Sequence, residues 1–74
     1  MQRRLFIAER SNGQTLIQAI DQLPIGEEGV TLVTVAGADP PEKLAEQAAR
    51  VHFENHPKRL RVCITAVSGR SFWL

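Results

Sequence analysis

Asp39-Pro40-Pro41-Glu42-Lys43-Leu44-Ala45-Glu46-Gln47-Ala48-Ala49-Arg50-Val51-His52-Phe53-Glu54 is the stretch that decides the fold. It reads as one well-capped helix over residues 39–54. Asp39 is a favourable N-cap, Pro40 suits the first helical position, and Glu42 completes a capping-box-like arrangement. Asn55-His56-Pro57 stops the helix, because the residue before a proline disfavours the αR conformation. At 100° per residue, Pro41, Leu44, Ala45, Ala48, Val51, His52 and Asn55 fall on one stripe. Glu42, Lys43, Glu46, Gln47, Arg50 and Glu54 form the opposite face. The stripe is rich in alanine, so the helix can lie close to whatever it covers.

Strands bracket this helix. Val30–Ala36 is β-branched and bounded by Gly29 and Gly37. Leu60–Val67 alternates, with Leu60, Val62, Ile64 and Ala66 on one side and Arg61, Cys63, Thr65 and Val67 on the other. Ser68-Gly69-Arg70 reads as a tight turn into a short final strand, Ser71–Leu74. Upstream, Leu5–Arg10 reads as a strand. Asn12-Gly13 is a two-residue hairpin signal that makes Thr15–Ile20 its partner. Leu16, Ile17, Ile20 and Leu23 also have helical spacing, with Thr15 and Gln18 as a weak capping box; the hairpin is the favoured reading of residues 13–23. Gly26–Gly29 is a polar loop. The expected class is α+β: a single domain with a small antiparallel-type sheet of four to five strands packed on the one main helix.

A chain of 74 residues supports one domain with a modest core. Its composition, 43% hydrophobic and 23% charged, is that of a folded protein. The single cysteine, Cys63, argues for a reducing compartment. Leu5–Ala8 is too short for a signal-peptide core, and no stretch reaches the length of a membrane span. A cytoplasmic protein without membrane attachment is expected. The net charge of +1 conceals an asymmetry: residues 21–54 carry −5 and residues 55–74 carry +4, from Lys58, Arg59, Arg61 and Arg70.

Chemistry-bearing motifs are sparse. His52 and His56 are four apart and Cys63 follows on the next strand, but no fourth zinc ligand is evident. His52 reads better as a core histidine near a helix C-terminus. Cys63 sits in a regular strand, with nothing beside it to lower its pKa. Ser11, Ser68 and Ser71 lack a nucleophile-elbow frame. Val35–Asp39 occupies the place of a phosphate loop, but one glycine and two prolines leave too few backbone N–H groups. No metal, cofactor or enzymatic activity is expected.

Two surfaces remain as interaction candidates. Strand parity pairs Trp73 with Ile64 or Ala66 and so puts it beneath the helix. Phe72 and Leu74 then join Cys63, Thr65 and Val67 on the uncovered sheet face, with Arg59 and Arg61 at its basic end. Phe53 projects among Glu42, Glu46 and Ala49, either as an exposed contact or packed against the chain itself. Val33–Ala49 followed by Leu60–Val67 resembles a layout of small phage and mobile-element proteins, including inhibitors of type I CRISPR complexes. That resemblance implies a non-enzymatic inhibitor that binds a host complex, and it assigns no site residue.

The leading expectation is a protein-binding module acting by steric occupation. It would use Arg59, Arg61, Thr65 and Phe72 on the sheet face, or Glu42, Glu46 and Phe53 on the helix. The rival is a nucleic-acid-binding accessory domain using Lys58, Arg59, Arg61 and Arg70, against which the acidic helix argues. A third reading is a domain that homodimerises through the open face.

Overall fold

Asn12 and Gly13 turn the chain back on itself with left-handed backbone angles at both positions, φ 52° and 78°. This is the geometry of a type I′ hairpin turn, which matches the twist of the strands it joins. The computed structural model describes residues 2–22 and 31–69. The turn links β1 (Gln2–Ser11) to β2 (Gln14–Ile20). Hairpin and not helix is therefore the state of residues 14–20. After these come β3 (Thr31–Gly37), α1 (Pro41–Asn55) and β4 (Arg61–Ser68).

The four strands form one sheet in the order β2-β1-β4-β3. β1 pairs antiparallel with β2 and with β4, whereas β3 and β4 run parallel. The sheet is thus mixed, which corrects the antiparallel expectation. The reason is α1: a helix between two strands carries the chain back to its starting end, so the strands it joins align in parallel. The α+β class holds, with a single helix on one face of a four-stranded sheet.

Both neighbours of β4 are filled along its length. Ile64 lies between Phe6 and Val33, and Ala66 between Arg4 and Val35. No side of Ile64 or Ala66 is left for the hairpin strand expected at Ser71–Leu74. Residues 70–74, with Arg70, Phe72 and Trp73, lie outside the described residues, as does the 26–29 loop. Gly69 instead donates its N–H to the Gly37 carbonyl at 3.0 Å, tying the end of β4 to the end of β3.

The core lies between α1 and one sheet face. Phe6, Ala8, Val62, Ile64 and Ala66 meet Leu44, Ala45, Ala49 and Phe53, with Ile17, Val33, Val35 and Ala48 at the margin. Ala45 and Ala49 are fully buried. Small side chains there let the helix axis approach the sheet, and large ones fill the space at either end. The buried arc of α1 is turned from the expected stripe: Val51 and Asn55 are exposed, while Ala49 and Phe53 are buried. A phenylalanine removes far more apolar surface than a valine, so the helix settles with Phe53 inward.

The helix start also differs from expectation. Pro40 is the N-cap and makes no side-chain cap bond; its carbonyl accepts from Lys43 and Leu44 at 3.0 and 3.1 Å. Asp39 stands one residue before the cap, and its backbone carbonyl accepts from Ser68 Oγ of β4. Glu42 does not turn back to the cap but reaches Arg4 Nη1 at 2.8 Å. At the other end the His56 N–H bonds to the His52 carbonyl at 2.9 Å, and Pro57 prevents continuation.

Candidate interaction surface

Strand registry defines the sheet face turned away from α1. Four rows cross it, each formed by residues in register. The first is Ile20, Leu5, Thr65 and Thr34. The second is Gln18, Ile7, Cys63 and Leu32. Arg3, Val67 and Ala36 form the third, and Leu16, Glu9 and Arg61 the fourth. The centre is apolar: Leu5, Ile7 and Val67 are half-buried and Cys63 is 2% exposed. Toward the edges the face opens to solvent, with Leu16 at 56% and Leu32 at 53% exposed. Among the described residues, no secondary-structure element packs on this face.

Its charge is largely paired. Arg61 Nε lies 3.5 Å from Glu9 Oε1, directly across the β1–β4 ladder. Arg59 does not share that face. Its Nη1 donates to Thr31 Oγ1 at 2.9 Å, and its charge reaches His52 on the helix side. The expected basic end is therefore divided between two sides of the sheet. Lys58 is exposed in the turn before β4. Of the expected face residues, Thr65 and Arg61 are brought together; Arg59 is not.

The helix surface is rearranged as well. Phe53 is 3% exposed and belongs to the core, so it is not an exposed contact residue. The spacing that groups it with Glu42 and Glu46 is real, but its ring dips below them into the sheet interface. Glu42 pairs with Arg4 across the domain, and Glu46 lies 3.6 Å from Arg50 along the helix. What spacing failed to mark is Val51, the apolar residue left outside, at 55% exposure.

Val51 lines a groove of about 390 Å³ between α1 and the outer strand β3, with Val33, Val35, Ala48 and His52. Nε2 of His52 is buried in this region and has no hydrogen-bond partner among the described residues. The rings of His52 and His56 stand 4.7 Å apart between centroids. Burial, then the neighbouring His56 and Arg59, lower the His52 pKa from 6.5. Cys63 is on the sheet face opposite α1 and cannot join these histidines around one ion. Among the described residues, no cluster of three or more metal-ligating side chains occurs.

Comparison with protein-family models, with curated proteins and with solved structures yields no match. None of the helices among the described residues is long and apolar enough to cross a membrane.

Proposed function

We propose that this chain is a non-enzymatic protein-binding module that docks a protein partner on the sheet face opposite α1. The observation that supports this is the continuous apolar band of Leu5, Ile7, Val67 and Leu32 on a face that α1 does not cover. A band of this kind, rimmed by Arg3, Glu9 and Arg61, has the anatomy of a protein contact: apolar centre, polar margin. The pairing of Arg61 with Glu9, and the turning of Arg59 to the other side, favour a protein over a nucleic-acid backbone. Action by steric occupation, as in an inhibitor from a phage or mobile element, is the extension that the resemblance suggests.

The test compares capture of a partner by the wild type with capture by Leu16→Asp/Gln18→Asp, two exposed changes on this face. The double variant should lose a protein that Lys43→Asp, on the helix surface, retains. Titration with single- and double-stranded oligonucleotides is the other arm. Tight binding that falls steeply with salt, and disappears in Lys58→Ala/Arg59→Ala, would sink the protein-partner reading in favour of nucleic acid.

A further inference from the structure

The outer strand β3 reads Thr31-Leu32-Val33-Thr34-Val35-Ala36-Gly37. It stands at the edge of the sheet, paired on one side only among the described residues. Edge strands are commonly guarded by charge, proline or a bulge. β3 has no charged residue and no proline, and its seven residues pair with β4 in unbroken register. About Thr34 the sequence is symmetric only at its centre, where Val33 mirrors Val35 and apolar Leu32 mirrors Ala36.

We propose that β3 is a self-pairing edge: two copies of this chain join antiparallel through β3 about a two-fold axis at Thr34. This contact runs along the backbone edge of β3 and the groove beside it; Leu32, Thr34 and Ala36 also border the partner face described above. Antiparallel pairing centred on Thr34 is the register that engages all seven residues. It sets Val33 against Val35 of the second copy, Leu32 against Ala36, and Thr34 against Thr34. Apolar meets apolar on the helix side, and threonine meets threonine at the axis, both favourable cross-strand pairs. The axis runs normal to the sheet, so both helices lie on one side of a continuous eight-stranded sheet.

The groove beside β3 makes the second half of the contact. Gln47, Ala48, Val51, His52, Asn55 and His56 turn toward it with no acidic side chain, lysine or arginine among them. A two-fold axis brings each surface against its own copy, so a charged flank would repel itself. This flank instead offers Val51, an apolar residue that the core leaves exposed, and the neighbouring charge of Arg59 sits on Thr31, three residues from the axis. The opposite edge, β2, fits self-pairing less well. About Ile17, its own centre, Leu16 would meet Gln18 and Gln14 would meet Ile20, and charged Glu46 and Arg50 border it.

Sedimentation of the full chain across a wide concentration range tests this. The expected result is a reversible dimer of twice the 8.2 kDa chain mass. Thr34→Lys places like charges face to face at the axis and should weaken it by roughly tenfold or more. Val51→Asp should do the same from the groove, while Leu16→Asp/Gln18→Asp leaves the dimer intact. Both interface positions are exposed, so circular dichroism should show each variant folded. Amides of β3 should gain exchange protection with concentration in the wild type alone. A chain monomeric at every concentration overturns the proposal, as does a dimer that survives both Thr34→Lys and Val51→Asp.

Discussion

Gly37 lies against Leu44 so closely that a methyl group on its α-carbon would meet Leu44 Cδ2 at 2.8 Å. The strand thus ends where the first turn of α1 passes over it. Leu44 is 4% exposed, so its side chain has little room to withdraw. Gly37→Ala should cost about 1–3 kcal/mol, the usual range for overpacking. Urea denaturation checks this; an unchanged midpoint would mean that Leu44 yields without cost.

The rotation of α1 separates two residues two positions apart. Phe53→Ala empties a core position and should cost about 3–5 kcal/mol, a large part of the stability of a domain this size. Val51→Ala touches an exposed side chain and should stay within about 0.5 kcal/mol in the monomer. A larger loss in Val51→Ala than in Phe53→Ala would place the buried arc on the stripe that spacing alone suggests.

The hairpin turn depends on its left-handed residues. Gly13 has φ 78° with open space around its α-carbon, so a side chain there meets backbone strain and no steric neighbour. Gly13→Ala should therefore destabilise by roughly 1 kcal/mol, and Asn12→Val by more, since a β-branched residue is poorly tolerated at φ 52°. Thermal melting of the two variants against wild type reads out the order.

His52 gives stability a pH dependence. Its folded pKa is lowered below 6.5, by burial first and then by His56 and Arg59. The unfolded chain consequently binds the proton more readily, and stability rises with pH through this window. The contribution is complete above 6.5 and declines as acid carries the pH below that value, levelling off beneath the lowered folded pKa. In His52→Gln the slope between neutral pH and the acid side of the window should flatten. A slope unchanged by this substitution would assign the effect to other groups.

Much of the architecture is legible residue by residue. Asn12-Gly13 specifies its turn locally, and the alternation in residues 60–67 places Val62, Ile64 and Ala66 under the helix, though Leu60 precedes β4 and is exposed. Non-local pairing is where the reading departs. Nothing in the sequence of β4 says that β1 will take its second edge, so a hairpin partner was expected there. Asp39 is a good cap by chemistry, yet the cap falls one residue later at Pro40, and the Asp39 carbonyl bonds to Ser68, 29 residues away. Phe53 shares an angular position with two glutamates, and only the depth of the sheet beneath them sends the ring inward. The candidate surface follows the same division: Thr65 and Arg61 follow from parity, whereas the departure of Arg59 depends on a turn that parity does not govern.

The central place of β4 also sets the order in which the molecule can assemble. β1 and β2 are local partners joined by a tight turn, and β3 precedes α1 directly, so each unit can begin to form alone. The hairpin and the β3–α1 unit share no strand pairing: β1 meets β3 only through β4, which the chain supplies after both, although α1 packs on β1 in the finished core. Closure of the sheet is therefore an insertion, with Ile64 seating between Phe6 and Val33 in one step. The rate should be governed by that long-range event and the loop-closure entropy it carries. Until it occurs, the inner edges of β1 and β3 both stay open, each awaiting the one strand they share.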